Sequence, residues 1–130
     1  MTGEQNLAKL LSSLSPELMH GEYVFHTFPD ARYGDSPALE PFASVRESEG
    51  LTLIVPRGRA DEHGLSYESV FRRITLGVHS SLDAVGLTAA FSSKLAEHGI
   101  SANVIAGYYH DHIFVHRDHA EKAMAALRSF

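Results

Sequence analysis

The stretch HSSLDAVGL, residues 79–87, gathers a histidine, two hydroxyls, a carboxylate and a glycine directly ahead of a helical pattern. Residues of those types at that spacing are equipped to hold a small charged molecule. The first-turn N–H groups of a helix have no intrahelical acceptor, so those around Gly86 and Leu87 can take a carboxylate unaided. The helix dipole adds about 0.3–1 kcal/mol of attraction, and up to ~2 kcal/mol in a partly buried site. Asp83 can face the ammonium of the same ligand, Ser80 and Ser81 offer hydroxyls, and Asn103 can reach in from a neighbouring strand. His79 and Val85 complete the lining. A free amino acid or a similar zwitterion suits this set. A phosphate does not, because a phosphate cradle needs a run of glycines and this loop has one, with no lysine or arginine. The competing interpretation is structural: Asp83 only begins the helix, and Gly86 only permits close packing on the sheet.

Histidines are the second candidate. The chain has nine, and His110, His112, His116 and His119 cluster near the C-terminus. On a strand, residues two apart share a face about 6.6 Å apart, so His110 and His112 can chelate one ion. His116 lies roughly 13 Å beyond His112, too far to join them. His119 begins a helix, and Asp111 falls on the opposite face. Structural zinc takes four ligands and catalytic zinc three. The pair is therefore assigned to a polar or intersubunit strand face, with metal binding at His110 and His112 as the weaker alternative. No cofactor is expected. His79, Ser80 and Asp83 include the residue types of a hydrolytic triad, but nothing resembles a nucleophile elbow. The chain is not expected to be an enzyme.

The elements that must position these residues follow from periodicity. Leu7, Leu10, Leu11 and Leu14 give residues 4–14 one apolar helical face, with Thr2 and Gln5 as a capping box and Pro16 as the stop. Residues 22–28 (EYVFHTF) suit a strand, and residues 29–41, with Pro29, Pro37 and Pro41, read as a surface loop. A hairpin follows with its turn at Ser48–Gly50, then a short helix before the junction SYES. Residues 70–78 place Ile74, Leu76 and Val78 on one strand face. Residues 87–98 form a helix burying Leu87, Phe91 and Leu95. ISANVIAG and DHIFVH are two more strands. Asp118 and Glu121 suggest a capping box for a last helix burying Ala120, Met124 and Leu127.

Composition narrows the function classes. At 130 residues the chain is one domain or two small modules, and its 44% hydrophobic content supports a core. A net charge of −5 argues against nucleic acid, whose phosphates call for a basic face. Without cysteine there can be no disulfide, thiolate metal site or cysteine nucleophile. No apolar run approaches the ~20 residues of a membrane span, and the N-terminus lacks the pattern of a signal peptide. A cytoplasmic protein is expected.

Residues 70–128 share the strand–helix–strand–strand–helix order of an ACT domain, a small ferredoxin-like ligand-sensing module. ITLGVHSSLDAVGLTAAFSSKLAEHGISANVIA resembles its signature, with Asp83, Gly86, Leu87, Leu95, Gly99 and Ile100 at the expected places, and YYHDHIFV resembles its third strand. Val85 stands where that pattern has a proline, and the fourth strand is missing after the last helix. A strand from elsewhere, the first half being the candidate, must cover that sheet edge, or the edge is left open. The whole chain resembles small bacterial proteins with two ACT-like modules in tandem, by architecture alone over its first half. The resemblance implies an α+β, ferredoxin-like fold of βαββαβ type in two modules, residues 1–65 and 66–130, with antiparallel sheets covered by helices on one face. It further implies a non-catalytic regulatory protein that binds a small ligand, most simply an amino acid, and works as a homo-oligomer. A structural module acting only through sheet pairing is the alternative.

Overall fold

The computed structural model describes residues 6–130 and separates into two compact units. One joins the N-terminal segment through His20 to Arg72–Phe130, and the other is Gly21–Phe71. Residues 6–20 thus group with the second half of the chain.

In the first unit, α1 (Leu7–Ser12) starts at Asn6, whose side chain accepts a hydrogen bond from the Lys9 N–H at 3.1 Å. The Thr2–Gln5 capping box lies outside the described residues. Pro16 does stop the helix, but the chain then forms a short strand that the sequence did not announce, β1 (Pro16–Leu18). Later come β5 (Phe71–Leu76), α3 (Leu87–Glu97), β6 (Asn103–Ala106), β7 (Asp111–His116) and α4 (Ala120–Leu127). β1 lies antiparallel to β5, with Leu18 opposite Ile74 and Pro16 opposite Leu76. On its other side β5 neighbours β7, which pairs antiparallel with β6. The missing fourth strand is therefore supplied by the N-terminal segment. Gly77 secures the splice: its N–H donates to the Ser15 carbonyl at 2.8 Å, and a Cβ there would lie 3.0 Å from the Ser15 Cβ.

Alternation explains which face of this sheet is covered. Ile74, Leu76, Ile113 and Val115 point to one side, where Leu10 and Leu14, Phe91 and Leu95 of α3, and Met124 and Leu127 of α4 close over them. Each of these residues is at most 3% exposed, so this core excludes water throughout. The Asp118–Glu121 box is not formed. Residues Arg117–His119 make a 3-10 turn instead, in which the His116 ring nitrogen accepts from the Asp118 N–H at 3.2 Å.

The second unit contains β2 (Tyr23–Phe28), β3 (Ala43–Glu47), β4 (Gly50–Pro56) and α2 (Arg57–Glu62). β4 is central and antiparallel to both neighbours, in register Val24–Val55 on one side and Ser44–Leu53 on the other. Val24, Leu39, Leu51, Leu53, Val55, Ala60 and Val70 form its core. The proline-rich segment between β2 and β3 is irregular apart from a 3-10 turn at Pro37–Leu39, as its composition predicts.

Candidate functional site

The loop joining β5 to α3 starts from Gly77 and ends at Gly86, which caps α3 with a left-handed backbone (φ +95°) and no side-chain capping bond. Within it the Ser81 hydroxyl accepts from the Asp83 N–H at 3.1 Å, and the Ser81 carbonyl accepts from the Ala84 N–H at 3.0 Å. The loop is thus a tight turn that holds itself in shape before any ligand arrives. Leu87 faces inward and belongs to the core, while Asp83 and Val85 face water.

A cleft of about 70 Å³ lies against this turn. Ser80, Ser81 and Thr88 line one wall, and Ala106, Gly107 and Asp111, from the turn between β6 and β7, line the other. Thr88 is in the first turn of α3, so the helix N-terminus opens onto the cleft. Gly107 is required by its surroundings, since a Cβ would stand 2.7 Å from the His110 carbonyl oxygen. Asp111 is the ionisable group of this cleft. Burial raises its carboxyl pKa above the ordinary 3.8, against a smaller lowering by His110. A carboxyl in that state gains from a cationic partner that replaces lost water.

The structure brings Ser80, Ser81, Gly86 and Leu87 to the cleft or its helix mouth, and it sets Asn103 apart. Asn103 sits at the far end of β6, where its amide donates to the Phe114 carbonyl at 3.2 Å. His79 packs on Tyr109 with ring centroids 5.1 Å apart, beside the cleft rather than in its wall. The carboxylate in the cleft wall is Asp111, whereas Asp83 is exposed at the surface and Asn103 lies at the other end of β6. Strand parity holds the signal for it: Asp111 has the same parity as Ile113 and Val115, both core residues, so a carboxylate there must enter the helix-covered side at the sheet rim.

His110, just before β7, and His112, within it, are each engaged locally. His112 Nδ1 lies 3.0 Å from the Thr75 hydroxyl and 3.5 Å from the Arg73 guanidinium. Burial, with help from Arg73 and His110, lowers the His112 pKa below 6.5. His110 Nδ1 lies 3.4 Å from the Val78 carbonyl. Among the described residues no group of three or more His, Cys, Asp or Glu side chains converges as a metal site.

Two family models of the ACT domain match the chain in tandem, one over residues 2–72 and the other over residues 68–129. The chain belongs to the ACT-domain family. The match extends to the first half, where the sequence had offered architecture only. A solved Vibrio cholerae structure, described as a protein of unknown function and possible transport protein, is 60% identical. It covers 93% of this chain and 92% of its own, with a TM-score of 0.86. An Agrobacterium tumefaciens protein shares the fold at 17% identity and a TM-score of 0.67, covering 87% of this chain and 85% of its own. The regulatory subunit of aspartate kinase from Thermus flavus does so at 11% identity and a TM-score of 0.59, covering 87% and 93%. No curated protein matches. Among the described residues no helix of these ACT modules is long and apolar enough to cross a membrane.

Proposed function

We propose that this tandem ACT protein is a non-catalytic regulatory module whose C-terminal half binds a small amino-bearing carboxylic acid, most simply an amino acid, in the 80–111 cleft. The observation that carries this is Asp111, a half-buried carboxylate facing hydroxyls and a helix N-terminus across a cleft of about 70 Å³. The ligand ammonium sits on Asp111, its carboxylate lies toward the N–H groups at the start of α3, and Ser80, Ser81 and Thr88 supply the remaining hydrogen bonds. The small volume favours a compact ligand over a bulky one. Asp83, exposed at the mouth, contributes at long range only.

Calorimetric titration with the twenty amino acids tests this. One of them should bind, and Asp111→Asn should weaken it roughly 10- to 150-fold, the range expected for losing a charge-assisted hydrogen bond worth ~1.5–3 kcal/mol. Asp83→Asn should change affinity less than threefold. Failure of every amino acid to bind, or an affinity indifferent to Asp111→Asn, refutes the assignment.

A further inference from the structure

A separate hollow in the second unit has no place in the reading above. Its volume is about 340 Å³, within the range of roughly 300–1,000 Å³ typical of small-molecule sites. Its floor is the β3–β4 sheet face, where Leu51 and Leu53 lie, and its walls are Phe28, Phe42 and the proline-bearing loop after β2. Leu51 and Leu53 are only 6% and 4% exposed, so the base of the hollow is closed core, and the apolar surface open to a ligand comes from Phe28, Tyr33 and Phe42 in its walls. The loop over it is held by its own bonds: the Asp35 carboxylate accepts from the Arg32 N–H at 2.8 Å, and Glu40 forms an ion pair with Arg59 at the start of α2.

This hollow continues into a second, more polar one of about 540 Å³, the two sharing Ala31, Tyr33 and Leu51. Register explains the gradient along it. Ser44 and Arg46 are on the same face of β3, opposite Leu53 and Leu51 respectively, so the groove runs from an apolar end to a guanidinium. Arg32 lines the same polar end from the loop. Neither Arg32 nor Arg46 forms an ion pair among the described residues. Glu47, the nearby acid, is engaged by the Thr52 hydroxyl. Two guanidinium groups outside any ion pair, beside the single Glu47 carboxylate, leave this end of an apolar trough net positive and suited to a negative group attached to an apolar body.

We propose that the groove over β3 and β4 is a second ligand site, built for a small organic acid with its apolar part among Phe28, Tyr33 and Phe42 above the Leu51–Leu53 base and its anionic group on Arg32 and Arg46. The site is complete within residues 28–53 and stands whether or not the 80–111 cleft binds anything.

The test is a titration of the full chain, followed by two-dimensional NMR, with phenylacetate, phenyl phosphate and neutral phenylacetamide. At least one of the two acids should bind at least tenfold more tightly than the amide, with shifts concentrated in residues 28–53. Which acid binds better tells whether the natural anion is a carboxylate or a phosphate. Arg46→Gln and Arg32→Gln, at exposed positions that carry no packing, should each lower that affinity about tenfold. Ser44→Phe should fill the trough and abolish binding without lowering the melting temperature. Equal binding of acid and amide, no saturable shift with any probe, or shifts confined to residues 80–111 would each overturn the proposal.

Discussion

The two units solve the same problem differently. Each must cover one face of a small antiparallel sheet. The first does so with α1, α3 and α4, and its core from Leu10 to Leu127 is almost fully closed. The second has one six-residue helix, α2, and a crossover carrying Pro29, Pro37 and Pro41 where the first unit has the eleven residues of α3. Proline removes a backbone donor and clashes with the preceding turn, so that crossover cannot become a helix. The irregular loop packs over the sheet face less completely than a helix and leaves a hollow beside it. Where a helix fills the sheet, the cleft is small and confined to the helix mouth; where proline forbids the helix, the cleft is large and lies on the sheet. One ACT plan thus gives two clefts that differ in size and lining.

The largest effect that can break this comparison is on stability. Phe91 is fully buried between sheet and helices, so Phe91→Ala should cost about 3–5 kcal/mol. Leu53→Ala removes a side chain that already borders an open hollow, which water can enter, and should fall near the low end of the ~2–5 kcal/mol range. Urea denaturation of both variants checks the order. A larger loss for Leu53→Ala would mean that the second unit is as tightly closed as the first.

Next come a turn glycine of the second unit and the glycine that caps α3 in the first. Gly50 has φ +146°, and a Cβ there would stand 2.5 Å from the Phe28 carbonyl oxygen and 2.8 Å from the Pro29 Cα. These are backbone atoms, and β2 would have to move. Gly86 has φ +95°, but its nearest neighbour is the end of the Leu7 side chain at 3.3 Å, which can rotate away. Gly86→Ala should therefore cost about 1–2 kcal/mol for the left-handed backbone alone. Gly50→Ala should cost more, since strain and clash add. Thermal melts giving the reverse order would show that the turn in the second unit is the more pliable one.

Much of this was legible in the sequence, for reasons that differ by element. The α3 stripe Leu87, Phe91 and Leu95 and the alternation of β5 are period signals, and the structure has both. β1 was hidden because three residues starting with proline carry no periodicity. Only the open edge of β5, a tertiary fact, makes them a strand. The missing fourth strand, and the first half as its source, were inferable, but not which residues would form it. Asp118 and Glu121 had the spacing of a capping box, yet the 3-10 turn and the His116 ring satisfy that corner instead. In the cleft, the serines and Gly86 were visible because the loop is continuous. Asp111 was missed because its partners are thirty residues away, and strand parity marks it only once the sheet side covered by helices is known. The groove over β3 and β4 left no motif, since it exists because a helix is absent.

The smallest expected effect separates the clefts by their response to acid. Burial raises the folded-state pKa of Asp111 above 3.8, so the folded chain binds its proton more readily than the unfolded chain does. Ionising Asp111 therefore costs stability, and the cost grows as pH rises from the ordinary carboxylate value through the raised one. Below that window both states are protonated and the cost vanishes. Asp111→Asn, which keeps the shape and removes the charge, should then be slightly more stable than the parent at pH 7, with the difference closing as pH falls. No such dependence is expected for Arg46→Gln, which leaves Asp111 and every other carboxylate in place. Urea midpoints for the three proteins at several pH values between neutral and acid measure this directly. A parent protein more stable than Asp111→Asn at neutral pH, without ligand, would show that a partner inside the first unit already compensates the carboxylate. The 80–111 cleft would then be a structural network rather than a site awaiting an ammonium.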